Sequence, residues 1–225
     1  MSAREELRIE VEGGRAVSGV FVLPEKAKWI LVLGHGAGAG MHHPFMSALV
    51  EELARVGMAT LRYQFPYMEE KRKAPDKPAV LTATVAAAVR AAAKAVPDLP
   101  LIAGGKSMGG RMTSQAAAEG MLPEVRGLVF FGFPLHPPKQ PGTKRAEHLT
   151  KVTLPMLFLQ GTRDDLADLK LLKPICKKLG KQATLRVIET ADHSFHVLKK
   201  SGRSDEEVLR ELAETTVGWA ANLQE

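Results

Sequence analysis

The stretch "LIAGGKSMGGR" at residues 101–111 constrains this chain more than any other. An apolar run ends in two glycines, and a second pair of glycines follows almost at once. A strand must therefore turn sharply into a helix there, with the two elements in close approach. Two chemistries use such a turn. Gly105-Lys106-Ser107 matches the end of a phosphate-cradling loop, whereas Gly105-Lys106-Ser107-Met108-Gly109 matches G-x-S-x-G, which presents a nucleophilic serine at the apex of the turn.

The phosphate reading fails at one position. Its pattern, G-x-x-x-x-G-K-[ST], needs a glycine whose backbone can curl N–H groups around the phosphates, and Pro100 stands there. Proline has no N–H and a fixed φ, and residues 101–103 read as strand rather than loop. The nucleophile reading has what it needs: Gly105 and Gly109 lie two residues before and two after Ser107, and Gly104 and Gly110 add further room.

The rest of the chain supplies an α/β frame for that turn. "LRIEVE" (7–12) and "AVSGVFV" (16–22) alternate in polarity around Gly13-Gly14, as an antiparallel hairpin should. "WILVLG" (29–34) is apolar throughout, the mark of a strand covered on both faces. A helical stripe of Phe45, Leu49 and Leu53 follows within 44–56 and stops at Gly57. Strand then alternates with helix: strand 59–63, an Ala-rich helix over 78–96, strand 101–105, a helix over 108–119, and strands 127–132, 156–161 and 184–189. A helical segment containing Pro174 joins the last two strands and should kink there, while Cys176 reads as a core thiol on that helix. A final helix begins at Ser204, which forms an S-x-x-E capping box with Glu207, and it is expected to bury Val208, Leu212 and Trp219. The expected fold is one α/β domain over residues 1–225, an eight-stranded, mostly parallel sheet with helices on both faces.

A lone G-x-S-x-G is a weak signal, so the test is whether an acid, a base and an oxyanion hole fall where this architecture needs them, in the order Ser, acid, His. Strand 156–161 runs into "GTRDD", which puts Asp164 and Asp165 on the loop at its carboxyl end. Asp164 is the expected acid, because Asp165 is placed to begin the following helix. Strand 184–189 runs into "TADHSFH", where His193 is the expected base because it stands earlier on the loop than His196, which leads into a helical run. The oxyanion donors are expected to be the N–H of Met108 and that of Ala37, the latter in the small-residue loop "GHGAGAGMHHP" after strand 29–34. Gly34, Gly36 and Ala39 imitate a dinucleotide fingerprint, but no helix starts at once and no acidic residue ends the next strand. His42 and His43 lack a third ligand at helical spacing and read as helix-entry histidines, and Lys106 either lines the site or reaches solvent.

Composition removes other classes. The net charge of +6 comes from Lys and Arg scattered over the chain, and with aromatic residues at 5% a base-stacking nucleic-acid surface is not expected. The densest basic run, Lys71-Arg72-Lys73, follows Glu69-Glu70 and reads as a solvated loop. The charged start has no apolar run behind it, and nothing approaches the ~18 apolar residues of a membrane span, so no membrane association is expected. With a single cysteine, the chain is expected to be cytoplasmic. Neither cofactor nor metal is expected; the expected partner is a small acyl substrate.

With these residues in hand, the chain resembles the α/β-hydrolase superfamily from strand 29–34 to the last helix. The strings "GHGAGAGM", "FPYMEEKRKAPD", "GGKSMGGR", "FGFPLHPP", "FLQGTRD" and "ADHSF" are similar to a group of small, dienelactone-hydrolase-like hydrolases that also includes a subunit of a chromatin-regulatory complex. That resemblance implies Ser107, Asp164 and His193 as a catalytic triad. Dienelactone hydrolases proper use a cysteine where this chain has Ser107, so their substrate does not carry over. The expectation is a carboxylesterase-like serine hydrolase, with a non-catalytic binding subunit and a thioesterase or amidase as the alternatives. Relatives with a helical cap commonly insert it between strands 127–132 and 156–161. Here "FPLHPPKQPGTKRAEHLTKVTLP" has room for a loop and one short helix, so no cap domain is expected, and cover must come from this loop and from "FPYMEEKRKAPDKP".

Overall fold

A computed structural model of the protein describes residues 3–224; Met1 and Ser2, which open the charged start, lie outside them with Glu225. The chain begins with two antiparallel strands, β1 (Ala3–Val11) and β2 (Arg15–Leu23), joined through Gly13 and Gly14 at φ +84° and +73°. That conformation is open to glycine at little steric cost. Then follow β3 (Trp29–Gly34), α1 (Pro44–Arg55), β4 (Met58–Tyr63), the single turn α2 (Pro66–Glu69), α3 (Pro78–Ala95), β5 (Leu101–Lys106) and α4 (Met108–Ala118). The second half comprises β6 (Val125–Phe131), a 3-10 helix over Lys144–Lys151, β7 (Met156–Gly161), α5 (Leu169–Leu179), β8 (Ala183–Ile188) and α6 (Asp205–Ala221).

All eight strands form one sheet in the order β1-β2-β4-β3-β5-β6-β7-β8. β2 pairs antiparallel with both neighbours, and every pair from β4 to β8 is parallel. The alternation of side chains along β3 divides the core into two layers. Ile30 and Val32 belong to the layer that also holds Leu81 and Val85 of α3, Met112 of α4 and, further along the sheet, Leu172 and Cys176 of α5. Leu31 and Leu33 face the other way, into the layer that holds Met46, Leu49 and Leu53 of α1 and Val208 and Leu212 of α6. β3, β4 and β7 are buried along their whole length; β3 is apolar throughout, as a strand covered on both faces should be, while β4 also buries Thr60 and Arg62 and β7 buries Gln160. The outermost strands are half exposed and carry Arg4, Glu6, Arg8 and Glu10 at one edge and Arg186 at the other, charges that discourage edge-to-edge pairing.

Several local expectations are met. Ser204 and Glu207 form the reciprocal capping box on α6, worth about 1 kcal/mol. Cys176 is buried on α5, and burial pushes its thiol up to about 11; Pro174 lies inside that helix, which is continuous from Leu169 to Leu179. Lys71 and Lys73 are exposed, and Arg72 beside them pairs with Glu70 and Asp76.

Two expectations need correction. Trp219 is only half buried, since it lies on the flank of α6 with its ring over Gly127, where a Cβ would come within 2.6 Å of it. The segment after β4 is not plain loop either, because Pro66 starts the helical turn α2. The connection from β6 to β7 carries only the 3-10 helix and no cap domain. Among the described residues no helix is long and apolar enough to cross a membrane.

Candidate active site

The parallel strands deliver their carboxyl ends to one edge of the sheet, the place where α/β folds gather ligand-binding groups. Ser107 stands between β5 and α4 at φ +51°, ψ −115°, a conformation that a side chain with a Cβ seldom adopts and that is held here by its surroundings. Its N–H donates to the Phe131 carbonyl at 3.2 Å, and its carbonyl accepts the Arg111 N–H at 3.1 Å. The flanking glycines let the turn close, since a Cβ on Gly105 or Gly109 would run into the Gly34 carbonyl of the neighbouring strand.

Three sequence-expected residues come together in one hydrogen-bonded line. His193 Nε2 is 2.9 Å from Ser107 Oγ, and His193 Nδ1 is 2.8 Å from Asp164 Oδ2. An ionised carboxylate only accepts, so Nδ1 carries the proton and Nε2 is left as the acceptor facing the serine hydroxyl. The Asp164 side chain is fully buried and its oxygens are satisfied: Oδ1 accepts the Leu166 N–H at 2.8 Å, and Oδ2 accepts from Gln160 as well as from His193. Asp165 takes no part. It does not begin the next helix, however, as its position in the sequence suggests; Asp168 caps α5, accepting the Lys170 N–H at 2.8 Å.

His196 points away, about two-thirds exposed, and pairs with Asp205 at 2.6 Å. The helical run expected directly after it begins only with a 3-10 turn at Lys199–Ser201. Asp192 shapes the loop between them, its Oδ1 accepting the N–H groups of Ser194 and His196 at 2.8 and 3.0 Å. His43 caps α1 through Nδ1, accepting from the Phe45 N–H at 3.3 Å, and so fits its helix-entry reading. The Lys106 amine does not reach solvent.

The loop after β3 passes beside the nucleophile, a Cβ on Gly36 falling 3.7 Å from Ser107 Cβ. Among the described residues neither the Ala37 nor the Met108 N–H has a partner within the protein, and Met108 opens α4, where the helix dipole favours negative charge. That loop is held from below by two residues to which the sequence pattern assigns no part. His35 is buried, its Nε2 accepting the Phe65 N–H at 3.1 Å and its Nδ1–H donating to the Gly36 carbonyl at 2.7 Å. Tyr67 of α2 accepts the Gly38 N–H at 3.0 Å, and Glu69 ties the same turn to Ser18 of β2. The segment around α2, expected to cover the site, therefore buttresses the loop.

Gln160 is a third such residue. Wholly buried near the end of β7, it donates to Asp164 and accepts the Phe133 N–H at 2.9 Å. Its signal is visible in "MLFLQG", where one amide interrupts a strand buried on both faces; such a group needs partners.

Burial lowers His35 to about 4, against a smaller upward pull from Gly36. The unfolded chain then takes up this proton first, so stability is lost as the pH falls from about 6.5 to about 4. The loss attributable to this ring is on the order of 3 kcal/mol. Urea unfolding at pH 7 and pH 5 should show a smaller unfolding free energy at pH 5, with the difference reduced in His35→Gln; equal differences in the two proteins would contradict this assignment.

Comparison with known proteins agrees with this fold. A family model described as an alpha/beta hydrolase domain matches residues 27–221. The fold is similar to that of a dienelactone hydrolase from Anabaena variabilis, with 23% identity and a TM-score of 0.76 over 95% of this chain and 96% of that one. It is also similar to a Xanthomonas campestris protein described as an α/β serine hydrolase without lid, at 19% identity and TM-score 0.75 over 97% and 94% of the two chains. A third likeness is the esterase domain of a Rhodothermus marinus protein, at 16% identity and TM-score 0.69 over 97% and 98%.

Proposed function

The chain belongs to the α/β-hydrolase family, and from that premise we propose that it is a serine hydrolase that cleaves small acyl esters through an acyl-enzyme on Ser107. The observation that carries this reading is the line from Ser107 Oγ to His193 Nε2 and from His193 Nδ1 to Asp164 Oδ2, at 2.9 and 2.8 Å.

In this mechanism His193 Nε2 takes the Ser107 proton as Oγ attacks the acyl carbonyl carbon. Asp164 holds the imidazole tautomer and stabilises the imidazolium. The Met108 and Ala37 N–H groups donate to the oxyanion, each worth on the order of 10²-fold in rate. Collapse of the tetrahedral adduct breaks the bond to the leaving alcohol, which receives the proton from Nε2. Water then repeats the sequence on the acyl-enzyme, releasing the acid and restoring Ser107. Gln160 supports the same cycle by keeping the Asp164 carboxylate aimed at the imidazole. The reaction would run in a reducing compartment, the cytoplasm, where the buried Cys176 thiol stays free.

The preference for small esters rests on the connection from β6 to β7, which offers a 3-10 helix instead of a cap, and on α2 being engaged with the loop beneath the site. Chromogenic esters from acetyl to palmitoyl, assayed above and below their solubility limits, test it. Turnover should peak at short chains, with no rate jump when substrate passes into emulsion. A maximum at long chains with interfacial activation would overturn the substrate assignment, and absence of turnover on every ester would overturn the reaction class.

A further inference from the structure

Lys106 ends β5 one residue before the nucleophile, and its Nζ is buried with no hydrogen-bond partner among the described residues. It lies over the rings of Phe45, at the start of α1, and Phe195, on the loop that carries His193, at 5.9 and 5.7 Å from their centroids. Those rings stack on one another, 14° from parallel. Gly132, just past β6, adjoins the amine as well. The point where a Cβ would sit on Gly132 is 3.2 Å from Lys106 Nζ, 3.4 Å from Asp164 Oδ2 and 3.4 Å from His193 Cε1. Ammonium, carboxylate and imidazole thus converge on one side of that glycine.

A hydrocarbon side chain would fill the same slot without the desolvation cost of a buried ammonium. Two ring faces return only part of that cost. The charged groups acting on the ammonium are Asp164, on the loop after β7, and Asp192, beside His193 on its own loop; α1 contributes the Phe45 ring and the end of β6 the Gly132 backbone. Burial draws Lys106 down to about 8, with the two carboxylates acting upward, so the amine is charged at neutral pH and discharges on the mildly alkaline side.

We propose that Lys106 is a positioning residue of this site, whose charge offsets that of Asp164 at the imidazole and so keeps His193 in its base form toward acid pH. The proposal rests on the acyl-transfer reading of Ser107. Asp164 alone would draw a proton onto the imidazole, and a cation converging on the same point opposes that pull. The same cation also opposes the imidazolium formed during attack, and this opposition ends when Lys106 loses its proton. The rate should therefore rise twice with pH, first as His193 becomes a base and again near pH 8.

Lys106→Met tests this, because it fills the slot and removes the charge. The acid limb of kcat/KM should move to higher pH by about one unit, and the second rise should vanish. The thermal midpoint at pH 7 should hold or increase, since a buried charge is gone. Lys106→Arg, with a permanent charge, should keep the acid limb of the parent and lose the second rise. Coincident acid limbs in the parent and a folded Lys106→Met would overturn the proposal. The titration midpoint of the His193 Cε1 proton, followed by NMR in both proteins, reads the same shift without turnover. If the parent protein hydrolyses no ester and takes no fluorophosphonate, the acyl-transfer reading falls, while an unchanged NMR midpoint would reject the role of Lys106 separately.

Discussion

Ser107→Ala should lower ester turnover by about 10⁴- to 10⁶-fold and abolish labelling by a fluorophosphonate, with the protein otherwise folded as the parent. A serine hydroxyl attacks phosphorus at a useful rate only when a base removes its proton. Among the described residues Ser107 is the serine with His193 Nε2 at 2.9 Å and a carboxylate behind that ring. Ser114 is the informative contrast. It too contacts a histidine, His148, at 2.7 Å, but burial and Arg111 lower that ring to about 4, and its hydroxyl also donates to the Arg111 carbonyl. Mass spectrometry of the labelled parent should find the adduct on Ser107; an adduct that persists in Ser107→Ala would show that another residue is the nucleophile. Asp164→Asn should cost about 10⁴-fold by the same logic, since an amide no longer fixes the tautomer, whereas Asp165→Asn should cost little.

The second large effect is on folding. Gly104→Ala and Gly109→Ala should each fail to give soluble, cooperatively folded protein. A Cβ on Gly104 would land on the Val129 carbonyl of β6, and one on Gly109 on the Gly34 carbonyl of β3. The obstacles are backbone atoms in central strands, which cannot swing aside like a side chain, so relief requires moving paired strands apart. That disruption costs several kcal/mol, comparable with the whole stability of an ordinary domain, about 5–15 kcal/mol. Gly218 supplies the control. It lies in α6, and a Cβ added there would meet nothing within 4 Å, so Gly218→Ala should leave the melting midpoint unchanged or raise stability by up to about 1 kcal/mol. Parent-like circular dichroism melts for Gly104→Ala or Gly109→Ala would show that strand and helix are less closely apposed than described.

Much of the architecture is legible along the chain, because each strand and major helix carries its own periodicity and stop signals. The hairpin of β1 and β2, the buried strands and the capping box on α6 are all local patterns. The segment holding α2 reads as loop because a single turn of helix is too short to show a period. Trp219 reads as core because helical spacing says which residues share a face, not how wide the covered stripe is. Asp165 shows a different weakness, since any aspartate shortly before a helix can be imagined as its cap, and only the path of the backbone selects Asp168.

What the sequence by itself determined is the order and chemistry of the parts: a serine between two pairs of glycines after a strand, an acid and a histidine on later strand-end loops, and a small-residue loop after the first buried strand. These are properties of short segments, and in a parallel sheet every such loop arrives at the same edge. What only the tertiary structure decided is what stands behind those groups. Gln160 on Asp164, His35 and Tyr67 under the loop after β3, and the buried amine of Lys106 beside Gly132 join residues far apart in the chain. The physical reason is that burial and partnership arise where elements meet. Whether Lys106 stretched into solvent or folded back beside the imidazole depended on Phe45 and Phe195, which come from other parts of the chain and close over it.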